Sequence, residues 1–78
     1  MPTLGRIGPF RFFFYSNEGT EPPHVHAQHE RKMAKFWLDP AALGSTGRFS
    51  ASELRSIERI VLENRERFLE AWNEFFGS

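Results

Sequence analysis

The sequence contains no cysteine. That one absence removes disulfides, thiolate metal sites and a cysteine nucleophile together. Net charge is absent as well: ten basic and ten acidic side chains cancel. A neutral balance argues against a strongly basic nucleic-acid binder and leaves only a local patch open. No apolar stretch approaches the roughly 20 residues a membrane-spanning helix requires. The start, Met1-Pro2-Thr3-Leu4-Gly5-Arg6, lacks the basic, apolar and small-residue regions of a signal peptide. A cytoplasmic protein with no membrane partner is therefore expected. The 78 residues fit one domain over 1–78 and exclude large doubly wound sheets and (β/α) barrels.

What is present in excess is aromatic: nine Phe, two Trp and one Tyr. A chain this short buries only about 60 % of its unfolded surface. The rings must either build the core or form a surface that a partner covers.

Phe10 to Tyr15 reads Phe-Arg-Phe-Phe-Phe-Tyr, an aromatic-rich strand with Pro9 at its start. Strand alternation puts Phe10, Phe12 and Phe14 on one face and Arg11, Phe13 and Tyr15 on the other. A polar loop follows, stiffened at its exit by Pro22-Pro23. His24 to His29 alternates as a second strand, and Met33 to Asp39 as a third. Asp39-Pro40 signals a turn, and Ala41-Ala42-Leu43 is a short candidate fourth strand.

The helix signal is the clearest. Ser50-Ala51-Ser52-Glu53 has capping-box spacing. Leu54, Ile57, Val61, Phe68, Trp72 and Phe75 then recur at three- and four-residue intervals, flanked by Ile60, Leu69 and Phe76. Gly77 suits the C-terminal cap. Asn64 is the polar interruption, expected to bond the sheet or to fix the register of a helix pairing. A helix over 51–76 would be about 39 Å long at ~1.5 Å per residue. Its Trp72/Phe75/Phe76 end should overhang a small sheet and need cover from the N-terminal segment or a partner. The fold class is α+β: a small antiparallel sheet of three to four strands, a meander over about 6–43, packed on one long C-terminal helix.

Pro22-Pro23-His24-Val25-His26 is the sharpest local signal. Two histidines at i and i+2 share a strand face and can converge on one divalent metal. The third ligand is left open among Glu18, Glu21, Glu30 and Asp39. Alternatively His24 and His26 form a general acid/base pair in a metal-independent RNase, with Arg11 or Lys35 holding the phosphate. A purely structural role for both rings is the plain alternative. Phe13, Tyr15 and Trp37, on the same outer face, are candidates for binding a partner or, in the RNase reading, stacking bases. No cofactor is expected beyond that divalent metal.

The runs at 10–18, 21–26 and 34–40, with Phe-Ser-x-x-Glu-Leu at 49–54 and Glu-Ala-Trp-Asn-Glu-Phe-Phe at 70–76, resemble the uncharacterised bacterial domain of unknown function 4160 family. The matching positions are Pro22, Pro23, His24, His26, Lys35, Trp37 and Trp72. The resemblance implies a small bacterial protein of unknown activity. It further implies a protein-interaction role in a two-gene, toxin–antitoxin-like module, whose partner is the neighbouring gene product or a second copy.

Overall fold

The computed structural model describes residues 3–77. Five strands and one helix follow in chain order: β1 (Thr3–Ile7), β2 (Phe10–Phe13), β3 (His24–His29), β4 (Lys32–Leu38), β5 (Ala41–Ser45) and α1 (Ala51–Phe76). The strands form one antiparallel sheet in the order β1-β2-β3-β4-β5. The α+β meander is as expected, but it has five strands in place of three to four. The additional one is β1, whose Gly5 breaks the alternation that marks a strand. Gly8-Pro9 joins it to β2, with Gly8 at φ 59° in the first central position, where a two-residue hairpin favours glycine.

Register decides which side chains face the helix. Phe12 lies opposite Ala27, and Val25 opposite Phe36. With Phe10, Ala34 and Leu38 they meet Ile57, Val61 and Phe68 of α1 in one core. Phe12 and Phe68 have ring centroids 5.4 Å apart. Each large apolar side chain so enclosed contributes about 1.5–3 kcal/mol. Phe49, in the connection before the helix, closes the core edge-on to Phe10.

The helix begins and ends where its sequence signals place it. The Ser50 hydroxyl accepts the Glu53 N–H, the Glu53 carboxylate accepts the Ser50 N–H, and Gly77 caps the C-terminus. Lys32 Nζ on β4 also donates to Glu53 at 2.8 Å. The Lys32 bond and the Ser50 N–H hold the Glu53 carboxyl at about 2, against an ordinary value of 4.5. A depressed carboxylate stabilises the fold above its unfolded pKa, and that contribution disappears as pH falls through the folded one. Glu53→Gln should therefore flatten the loss of stability between pH 4.5 and about 2, read as the urea midpoint against pH. An unchanged acid limb would show that the cap does not contribute there.

The structure bears on three sequence expectations for the helix. Asn64 does not reach the sheet; its Nδ2 donates to the Ile60 carbonyl one turn back at 2.9 Å. Phe75 is 49 % exposed: it lies in phase with Ile57, about five helical turns on, but at the helix end, beyond the core cluster that Ile57, Val61 and Phe68 share with the sheet. The Trp72/Phe76 end is covered within the chain. Phe14 packs on Trp72, Phe75 and Phe76, and the β2–β3 loop crosses so closely that a Cβ on Gly19 would lie 2.5 Å from the Phe76 ring.

Candidate metal centre

The loop between β2 and β3 carries the site's carboxylate. Two consecutive turns shape it: Glu18 N donates to the Tyr15 carbonyl at 3.3 Å, and Glu21 N to the Glu18 carbonyl at 3.1 Å. Glu18 Oε1 in turn accepts the Tyr15 N–H at 2.8 Å. The carboxylate is thereby folded back over the outer sheet face. Pro22-Pro23 then leads into β3, and Pro23 O receives Leu38 N at 2.9 Å, which ties the loop's exit to β4.

On β3, alternation sends His24 and His26 to the same face, as expected. Their ring centroids are 5.2 Å apart and nearly perpendicular. His24 is 0 % exposed, walled by Trp37 at 5.4 Å and by Trp72 from the helix end at 5.0 Å. His26 stacks on Phe13 at 5.3 Å and meets Tyr15 edge-on at 5.1 Å. Aromatic walls fix both rings while leaving their outer nitrogens directed at Glu18 (3.0 Å from His24 Nε2 and from His26 Nε2).

The proton inventory of these three groups is informative. His24 Nδ1 lies 2.9 Å from the Pro22 carbonyl. A carbonyl only accepts, so Nδ1 carries the hydrogen, and in the neutral ring Nε2 presents a lone pair. That nitrogen is buried with no hydrogen-bond partner. Glu18 Oε1 is near enough, but its direction is not that of a hydrogen bond. A lone pair held against a carboxylate oxygen is repulsive unless a metal ion or a second ring proton lies between them. His26 Nε2, by contrast, bonds both Glu18 oxygens, at 3.1 and 3.0 Å. Burial pushes the Glu18 carboxyl up, but the Tyr15 N–H and the His26 imidazole outweigh it and hold the group below its ordinary range.

Glu18, His24 and His26 each offer one ligand atom, all within 4.8 Å of one another. Ligands about 2.0–2.1 Å from a common ion lie roughly 3 Å apart, the separation already present between Glu18 and each imidazole. The Pro22 carbonyl plays the part that an outer partner usually plays for a metal-bound histidine, fixing tautomer and ring orientation. The donor set fits a two-histidine, one-carboxylate centre.

The other expected site residues surround this centre. Lys35 lies opposite His26 in the β3–β4 register. Its Nζ is bonded to Glu21 at 2.7 Å and sits over the Trp37 ring at 4.3 Å. Arg11 lies one step along the face, its guanidinium over Phe13 at 4.4 Å and bonded to Gln28 at 3.0 Å. Phe13 is 1 % exposed, so the loop and its neighbours take up the surface expected for a partner. Tyr15 and Trp37 keep part of theirs. Glu18 was one of four carboxylates that spacing could not separate; its turn-rich loop, ending in Pro-Pro just before the histidines, is the signal that favours it. Among the other three, Glu21 is engaged by Lys35, Glu30 by His29 and Asp39 by Arg65. Among the described residues, no helix is long and apolar enough to cross a membrane.

No curated protein and no solved structure matches the chain. A family model does, over residues 10–73, described as "Domain of unknown function (DUF4160)". That span contains β2 to β5, the Glu18 loop, both histidines and the helix through Trp72, and the chain belongs to this domain of unknown function 4160 family.

Proposed function

We propose that the chain is a metal-binding module whose Glu18, His24 and His26 hold one divalent transition-metal ion. The observation that carries this reading is the buried His24 Nε2, which faces a carboxylate without a hydrogen bond. Three protein ligands leave coordination positions open, as in sites that bind water or a substrate atom. The Glu18 and His26 edge is the accessible side, since His24 is enclosed. When bound, such an ion supplies Lewis acidity. The chain's own residues orient the ligands, and Phe13, Trp37 and Trp72 screen them from water.

The metal-independent RNase reading has less support. An acid/base pair must reach substrate from two sides, and the His24 ring is enclosed by Trp37 and Trp72. Lys35 and Arg11 are already engaged by Glu21 and Gln28. The interaction role in a two-gene, toxin–antitoxin-like module keeps the support of exposed Tyr15 and of Trp37. Co-purification of the neighbouring gene product with wild type but not with a Tyr15→Ala/Trp37→Ala variant would bear it out.

The metal reading is tested on untagged protein stripped with EDTA. A ligand at a hundredfold excess over its Kd stabilises by about 2.7 kcal/mol, which in a chain this size raises Tm by roughly 10–20 °C. Adding Zn²⁺ should produce that shift in wild type and in His29→Ala, and not in Glu18→Gln. Equal shifts in Glu18→Gln and wild type, or none with Zn²⁺, Mn²⁺ or Fe²⁺, would overturn it.

A further inference from the structure

The outer sheet face holds a second polar group next to the metal centre. In the β1–β2 register Arg6 lies directly opposite Arg11, and Arg11 lies opposite Gln28 in the β2–β3 register. Directly opposed residues share a face, so two guanidinium groups and an amide form one row across three strands. Like charges directly opposite are unfavourable in a sheet, and among the described residues neither arginine makes an ion pair. The groove they line also contains Pro9, His29 and Glu30. Its one carboxylate, Glu30, is turned to His29 at 3.7 Å, and His29 Nδ1 is bonded to the Pro9 carbonyl at 2.9 Å.

Arg11 is also held in place. Its Nη2 donates to Gln28 Oε1 at 3.0 Å, and its guanidinium lies over the Phe13 ring. A fixed, planar fork with an unpaired second fork opposite it is suited to a tetrahedral oxyanion, which two arginines can bind through several parallel N–H···O bonds. Phe13 in turn stacks on His26, so one ring separates the arginine row from the metal ligands.

We propose that Arg6 and Arg11, with Gln28 as the positioning residue, bind the phosphate group of a small phosphate ester on the same face as the Glu18/His24/His26 centre. Only the second half of that statement, that the ester is presented to a metal, rests on the metal reading. The row itself stands on register and charge.

The test is a two-dimensional amide NMR titration of EDTA-treated full-length protein at constant ionic strength, with inorganic phosphate and separately with adenosine 5′-monophosphate. The expected result is saturable shifts at Arg6, Arg11 and Gln28. Affinity should fall at least about tenfold in Arg6→Gln, which changes an exposed side chain, and in Arg11→Lys, which keeps the charge but loses the fork. Tighter binding of the nucleotide identifies an ester as the ligand, and equal affinity identifies the phosphate group alone as what is recognised. No saturable shift in wild type, or wild-type affinity in both arginine variants, overturns the proposal. Glu18→Gln separates the two readings. Phosphate binding should survive in it while metal binding is lost. If metal binds but phosphate does not, only the arginine site fails; if phosphate binds but metal does not, only the metal centre fails.

Discussion

Trp72→Ala is expected to lower unfolding stability by about 3–5 kcal/mol, the range for deleting a buried large aromatic side chain. A chain of this size has roughly 4–12 kcal/mol in total, so the loss is a large fraction of it. The ring is 4 % exposed and joins three parts of the molecule. It packs on Phe14 at the end of the sheet at 5.0 Å, on Phe76 in its own helix at 4.4 Å, and on His24 at 5.0 Å. Truncation therefore leaves a cavity where helix, sheet and His24 meet. Trp72→Phe should retain most of the stability, because a ring still backs His24. A cost below 1 kcal/mol for the alanine variant, measured by urea unfolding, would place Trp72 outside the core and remove the helix-end support of His24.

Gly47→Ala is the second large effect, and its cause is backbone crowding. Gly47 lies at φ 57° and passes so close to β4 that an added Cβ would overlap the Met33 carbonyl. No rotamer relieves this, since the colliding atoms are all backbone and Cβ. The 46–49 connection must move, and with it Phe49, which closes the core against Phe10, and Ser50, which caps the helix. Left-handed strain and overpacking together put the cost at roughly 2–5 kcal/mol. Gly77→Ala is the control, because nothing lies within 4 Å of a Cβ there. If Gly47→Ala were no more destabilising than Gly77→Ala, the close pass over β4 would be wrong.

The helix was legible because its signals are local. Ser50, Glu53 and Gly77 are read within a few residues of the ends they define, and the buried stripe repeats with the helical period. β2, β3 and β4 were legible for the same reason, through alternation at period two. β1 was not, because Gly5 interrupts its pattern and its partner lies across a Gly-Pro turn. The sheet bond expected of Asn64 is not made, because a side chain can satisfy itself on its own helix, a choice that periodicity does not distinguish. The histidine pair could be read from parity alone, but its carboxylate could not. Glu18 reaches His24 and His26 through two irregular turns, and no spacing rule governs those. The outer-face aromatics were identified as a set, but burial divided them: Phe13 went under the loop as a wall for His26, and Tyr15 and Trp37 stayed at the rim. Arg6 became visible only with β1, once register set it against Arg11.

The metal centre is tested most directly by titrating EDTA-stripped protein with Co²⁺ and following the visible absorption of the bound ion. Coordination by two imidazoles and a carboxylate predicts a band that grows to an end point at about one ion per chain. The band should be missing in Glu18→Gln and displaced by Zn²⁺, with His29→Ala behaving as wild type. No band in wild type, or an identical band in Glu18→Gln, would contradict the assignment of Glu18, His24 and His26 as ligands.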